Sequence, residues 1–178
     1  MLSHGDVFAT MTRLTLSQRV NDSNIFGSLS AVTKQPFAIS PKDYPPALNV
    51  MGDKISVLAE IAATGAYAIT LNHGREGNGP PPHSHDWDES FFVVKGNVEF
   101  NFGGETLVAV PGTLVHFPAG TVHSFKFCAG GAELLEITGK GSRAIEMFTA
   151  LDHEIPPGSN DIAKTQEVLE RTGVKVVE

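Results

Sequence analysis

The sequence predicts an all-β chain, an antiparallel sandwich or barrel, and two observations carry that prediction. From Leu48 onward, short runs rich in β-branched and aromatic residues follow one another. Each run is closed by Gly, Pro or Asn, the residues that make tight turns. Many short strands at this spacing suit a sheet folded onto itself and not a parallel α/β sheet.

Residues 1–46 read as an N-terminal arm. They are rich in Ser, Thr and Asn, and Pro36, Pro41, Pro45 and Pro46 fall near the end. The piece 7–20 has room for a turn or two of helix, and the arm packs either locally or across a neighbouring subunit. The barrel is expected over 47–141, with strands at 55–61, 66–72, 89–94, 98–102, 106–110, 114–117, 122–127 and 133–138. Residues 142–178 read as a C-terminal extension. Asn160 or Asp161 is placed to cap a short helix running to about Thr172. Ile162, Val168 and Leu169 give it a modest apolar face, and Gly173 is placed to end it. The helix is expected on the outside of the barrel, so the whole forms one structural domain.

At 178 residues, 41% hydrophobic and 19% charged, the chain can bury a real core. Its formal net charge of -7 and the absence of any Lys/Arg-rich run argue against nucleic-acid or anionic-membrane partners. Cys128 is the single cysteine, which excludes an intramolecular disulfide and a Cys-rich zinc module. It is expected as a small core or strand-end residue. No apolar stretch approaches the ~18 residues of a membrane span. Nor does any basic segment followed by an apolar run resemble a signal peptide, so a cytoplasmic location is the expectation.

The stretch PPPHSHDWDESFFVVKG, residues 80–96, carries the chemistry. Alternate residues of a strand share a face, so His83 and His85 project together and Glu89 keeps their parity. Two imidazoles and a carboxylate on one face suit a metal ion. Strict alternation would also turn Trp87 inward, so a bend or bulge is expected over Asp86–Asp88. A further ligand has to come from elsewhere. Among the other histidines, His123 has the best context, following Pro118-Ala119-Gly120 at the start of a strand that can fold back beside the first. His116 precedes that turn and is expected at the surface.

With these residues in view, the sequence resembles a cupin. Gly77, His83, His85, Glu89 and Gly96 fill the first motif, G-x5-H-x-H-x3-E-x6-G. Gly112, Pro118, Gly120 and His123 match the second, G-x5-P-x-G-x2-H-x3-N, while Phe127 stands where the family often has Asn. The resemblance implies an antiparallel jelly-roll barrel, the cupin double-stranded β-helix. It also implies one metal held by His83, His85, Glu89 and His123. The wider texture is similar to small single-cupin proteins of the quercetinase-like kind.

Three imidazoles and a carboxylate suit one divalent first-row metal, with Fe, Mn, Ni, Co, Cu and Zn all open. A carboxylate that can leave the metal is placed to take a proton from a substrate hydroxyl, and the resemblance gives Glu89 this catalytic role. Phe91, Phe100, Phe102, Phe117, Phe125, Phe127, Met147 and Phe148 are the candidate pocket walls. Most are expected as core, the remainder as an apolar slot for a flat substrate. Basic residues near the motifs are few, Arg75 and Lys126 among them, which counts against phosphorylated sugars. The expected function is a metal-dependent dioxygenase, quercetinase-like, acting with dioxygen on a flavonol, phenolic or enol/diketone-type small molecule. The alternatives are a metal-dependent isomerase, cyclase or decarboxylase, and a non-catalytic binding module. A homodimer is expected.

Overall fold

The structure is a computed structural model that describes residues 35–177. Most of the expected N-terminal arm, including the possible helix within 7–20, lies outside the described residues. The first strand β1 (Leu48–Val50) turns back into β2 (Asp53–Ala59) through Met51 and Gly52. Both have positive φ, 51° and 96°, the geometry of a two-residue hairpin turn whose twist matches that of the strands. A single helical turn, α1 (Ile61–Thr64), leads to β3 (Tyr67–Gly74). The chain continues through β4 (His83–Ser84), β5 (Glu89–Lys95), β6 (Val98–Phe102) and β7 (Glu105–Ala109). It then forms β8 (Leu114–Phe117), β9 (His123–Phe127) and β10 (Ala132–Gly139). Helices α2 (Ala144–Glu154) and α3 (Ile162–Arg171) follow, and a two-residue strand, β11 (Lys175–Val176), closes the order.

Two antiparallel sheets result. One has the order β1-β2-β3-β10-β5-β8 and the other β11-β4-β9-β6-β7. Each β10 position facing inward is buried: Ala132, Leu134, Glu136 and Thr138. That is the period-2 signature of a strand with one face on a core. Phe91, Val93, Val98, Phe100, Val115, Phe117, Phe127 and Leu134 fill the space between the sheets. At roughly 1.5–3 kcal/mol for each large apolar side chain withdrawn from water, they are the main cohesive term of the barrel. Antiparallel sheets packed around one core are what the strand pattern predicts, and they are consistent with the jelly roll that the resemblance implies.

The bend expected over Asp86–Asp88 is a change of sheet. His83 and Ser84 belong to the smaller sheet, and Glu89 opens a strand of the larger one. Trp87 sits at this crossing, 3% exposed, in a second apolar cluster with Ile55, Ala144, Phe148 and Val174. Helix α2 had no counterpart in the sequence prediction. It packs through Ala144, Phe148 and Leu151 and ties to β1, where the Asn49 amide donates to Asp152 at 2.8 Å. Helix α3 begins as expected, with Asp161 accepting from the Lys164 amide at 2.9 Å. Its buried residue Val168 joins Leu151 and Ile155 in a third cluster. Ile162, expected on the apolar face, is instead 71% exposed at the first turn. Cys128 follows the end of β9, the strand-end position expected for it. No described helix is long and apolar enough to cross a membrane.

Candidate metal centre

Strand geometry brings the motif histidines together. His83 lies opposite His123 where β4 pairs with β9, and their rings are 4.4 Å apart. The His85 ring is 5.2 Å from that of His123 and 5.7 Å from that of His83. One ring nitrogen from each of the three lies within 4.8 Å of the others. A single ion with metal–nitrogen bonds of ~2.0–2.1 Å closes such a spacing with small side-chain shifts.

The hydrogen bonds fix which nitrogen faces inward. Nδ1 of His83 lies 2.9 Å from the Pro81 carbonyl, Nδ1 of His85 2.9 Å from that of Trp87, and Nδ1 of His123 3.0 Å from that of Thr121. A carbonyl only accepts, so each Nδ1 is the protonated, donating nitrogen. Each Nε2 then presents a lone pair to the centre, as a metal-bound imidazole does. Glu89, 5% exposed, points its Oε2 at the same place, 3.1 Å from Nε2 of His123 and 3.3 Å from Nε2 of His85.

Lone pairs facing a carboxylate at these distances repel unless a positive charge lies among them, either a proton on Nε2, which then donates to Glu89, or a bound cation. The residues present therefore fit a bound cation, and the absence of thiolates suits the first-row divalent metals. Burial, then the neighbouring charge of His123, lowers the His83 pKa to about 4, which keeps that ring in its metal-binding form at neutral pH. Burial alone would push Glu89 up, but its hydrogen bonds with His123 and His85 hold it down at about 2. Its carboxyl is ionised.

A second buried carboxyl, which the motifs do not reveal, stands beside Glu89. Glu136 of β10 is 3% exposed and accepts from Asn72 Nδ2 at 2.7 Å and from Thr70 Oγ at 3.3 Å. Burial, reinforced by the charge of Glu89, pushes Glu136 well above the usual carboxylate range. It is harder to ionise than an ordinary carboxyl, the opposite of Glu89. The signal for it was a polar trio, Thr70, Asn72 and Glu136, at inward positions of strands otherwise facing an apolar interior.

The candidate pocket walls divide. Phe91, Phe100, Phe117 and Phe127 are at most 2% exposed and pack ring against ring with Phe125 and Phe102. They fill the barrel and do not line an open slot. Phe117 also stacks on His123, with centroids 4.3 Å apart. Phe127 closes the barrel floor against Gly74, four positions along β9 from His123. Met147 and Phe148 lie apart from this group, in the cluster behind Trp87. Of the eight, Phe102 borders an open cleft of about 470 Å³ that also meets Pro82, His123, Asn101 and Thr106. His116 is exposed, as expected, and pairs with Ser90 at 2.9 Å.

A cupin-domain family model matches residues 71–138. Quercetin 2,3-dioxygenase of Bacillus subtilis (strain 168) is 29% identical over 126 residues, 67% of this chain, and the match spans 37% of that protein's length. Among solved structures, an RmlC-like cupin from Shewanella frigidimarina NCIMB 400 superposes with a TM-score of 0.54 at 18% identity, covering 63% of this chain and 98% of that one. KdgF from Halomonas sp. gives 0.53 at 20% identity, covering 62% and 99%. The polyketide cyclase RemF from Streptomyces resistomycificus gives 0.51 at 18% identity, covering 59% and 80%. At these identities the likeness is one of fold.

Proposed function

The chain is a cupin, and on that premise we propose that it is a metal-dependent dioxygenase of the quercetinase kind. Its substrate is a small flavonol, phenolic or enol/diketone-type molecule. The observation that carries this is the orientation of three Nε2 lone pairs and one ionised carboxylate toward a common point. The relationship to a quercetin dioxygenase supports the substrate class.

In this reading His83, His85, His123 and Glu89 hold one divalent first-row metal. When bound, the metal would supply Lewis acidity toward a substrate oxygen. The residues do the rest. Glu89, turned to the centre, would take the proton of the substrate hydroxyl once its carboxylate leaves the metal. The apolar ring of Phe117 against His123 keeps water from one side of the site. Substrate approaches through the cleft bounded by Phe102 and Asn101.

The test is oxygen uptake by metal-loaded protein across a panel of flavonols and 1,3-diketones. Uptake that depends on both metal and substrate is expected. No uptake across the panel removes the dioxygenase reading. Turnover that persists without oxygen replaces it with isomerisation, cyclisation or decarboxylation at the same site.

A further inference from the structure

We infer that the C-terminal strand segment, residues 173–177, is a positioning element of the metal site, holding the His83 and His85 ligands from outside the barrel. The inference rests on the metal reading above and names residues that neither cupin motif contains.

Strand β4 is two residues long and meets β9 through a single residue pair, His83 with His123. So short a ladder has little stability of its own, since two-stranded pairings are marginal even when longer. Its other edge is where it is secured. Strand β11 pairs with it antiparallel, Lys175 opposite Ser84 and Val176 opposite His83. One step further, the Val177 amide donates to the Pro82 carbonyl at 2.8 Å. The neighbouring Pro81 carbonyl is the one that accepts from Nδ1 of His83. The backbone that orients the His83 ring is thus pinned by the C-terminal segment.

His85 is reached differently. Its ring stacks on Trp87, with centroids 4.2 Å apart and planes 3° from parallel. The Trp87 Nε1–H, though buried, finds no acceptor among the described residues. Apolar packing therefore holds the indole, and Val174, 3% exposed, is part of that packing. The backbone at Gly173 runs close to the same indole: a Cβ there would lie 3.7 Å from Cζ3 of Trp87.

The segment has a firm base. It leaves α3 through hydrogen bonds that close the helix end: the Gly173 amide donates to the Glu170 carbonyl at 3.0 Å and the Val174 amide to that of Leu169 at 2.9 Å. Helix α3 is fixed to α2 through Val168, Leu151 and Ile155, and Glu154 pairs with Arg171 and Lys164 across the two helices. A cluster far along the chain thereby sets the position of two ligands by one backbone ladder and one stacked ring. Groups that orient metal ligands in this way typically change metal affinity 10–100-fold when removed.

The experiment uses the full chain and Co²⁺ as the probe. Val177→Pro deletes the amide that donates to Pro82 at a half-exposed surface position, leaving the core untouched. Lys175→Pro/Val177→Pro disrupts the ladder more fully. The Co²⁺ dissociation constant is expected to rise about tenfold in Val177→Pro and further in the double variant. Coupling is reciprocal, so Co²⁺ must also slow hydrogen exchange at the Val177 amide of the unmodified chain, while a core amide such as Phe100 serves as reference. If Val177→Pro binds within about twofold of the parent, or if Val177 exchange ignores the metal, the positioning role is overturned and the metal site stands. If the unmodified chain takes up no Co²⁺, the metal reading falls and this inference falls with it.

Discussion

The floor of the barrel offers a sharp test of packing. A Cβ added at Gly74 would lie 1.7 Å from Cε2 of Phe127, 1.9 Å from Cδ2 and 2.2 Å from Cζ. The ring cannot step aside freely: it is 2% exposed and packed edge-on against Phe125 at 5.3 Å. Gly74→Ala is therefore an overpacking change, worth about 1–3 kcal/mol of lost stability. Phe127→Ala removes a fully buried ring and should lose about 3–5 kcal/mol. The two are not independent, because the new methyl falls into the space the ring vacates. The double variant should be more stable than the sum of the single losses predicts, with a coupling of about 1–3 kcal/mol. Urea unfolding of metal-free protein at fixed pH measures all four corners of the cycle. Metal affinity of Gly74→Ala should stay unchanged, since position 127 lies four residues, about 13 Å, along β9 from His123. Additivity within about 0.5 kcal/mol would refute the contact, and so the account of why an aromatic occupies this position.

Two further predictions concern the buried acids and the outer helix. In metal-free protein, the fold raises the pKa of Glu136 from its usual 4.5, so the folded chain keeps a proton that the unfolded chain releases. Stability should then fall by about 1.4 kcal/mol for each pH unit above about 4.5, until the folded-state value is passed. Glu89 acts in the opposite sense: its contribution is complete above about 4.5 and is lost as pH falls toward 2. Between pH 5 and 7, Glu136→Gln should therefore gain stability relative to the parent in chelator, and parallel urea midpoints across that range would contradict this. Asp161→Ala removes the side chain that accepts from the Lys164 amide and should lower stability by about 1 kcal/mol, a fall in Tm of a few degrees by calorimetry.

Most of this architecture was legible because turns and alternation are local signals. Strands β6 and β8 appear at their predicted limits, and Asp161 caps α3 as its residue type suggests. The hairpin of β1 and β2 was not legible, since its turn places Met51, a residue with no preference for positive φ, in the left-handed region. Helix α2 went unpredicted although Ala144, Phe148 and Leu151 repeat at helical spacing, because its N-cap residue is Arg143, a type that does not mark a helix start. At the site, parity and motif pick out the histidines and Glu89, which the structure brings together. Glu136 was hidden because it lies in a strand whose inward residues before it, Ala132 and Leu134, look like ordinary core. The apolar slot expected from the phenylalanines is filled because those residues meet one another, which spacing along one strand cannot reveal. The role of residues 173–177 depends on a pairing with β4 some ninety positions away, a contact that no local pattern encodes.

Everything functional here depends on whether His83, His85, His123 and Glu89 enclose a cation. The direct measurement is calorimetric titration of chelator-stripped protein with Co²⁺ or Ni²⁺, comparing the parent with His83→Ala/His85→Ala/His123→Ala. The parent should bind one ion per chain with heat that the triple variant abolishes, while both retain the same far-UV signature of the barrel. Equal uptake by the two proteins would contradict the account.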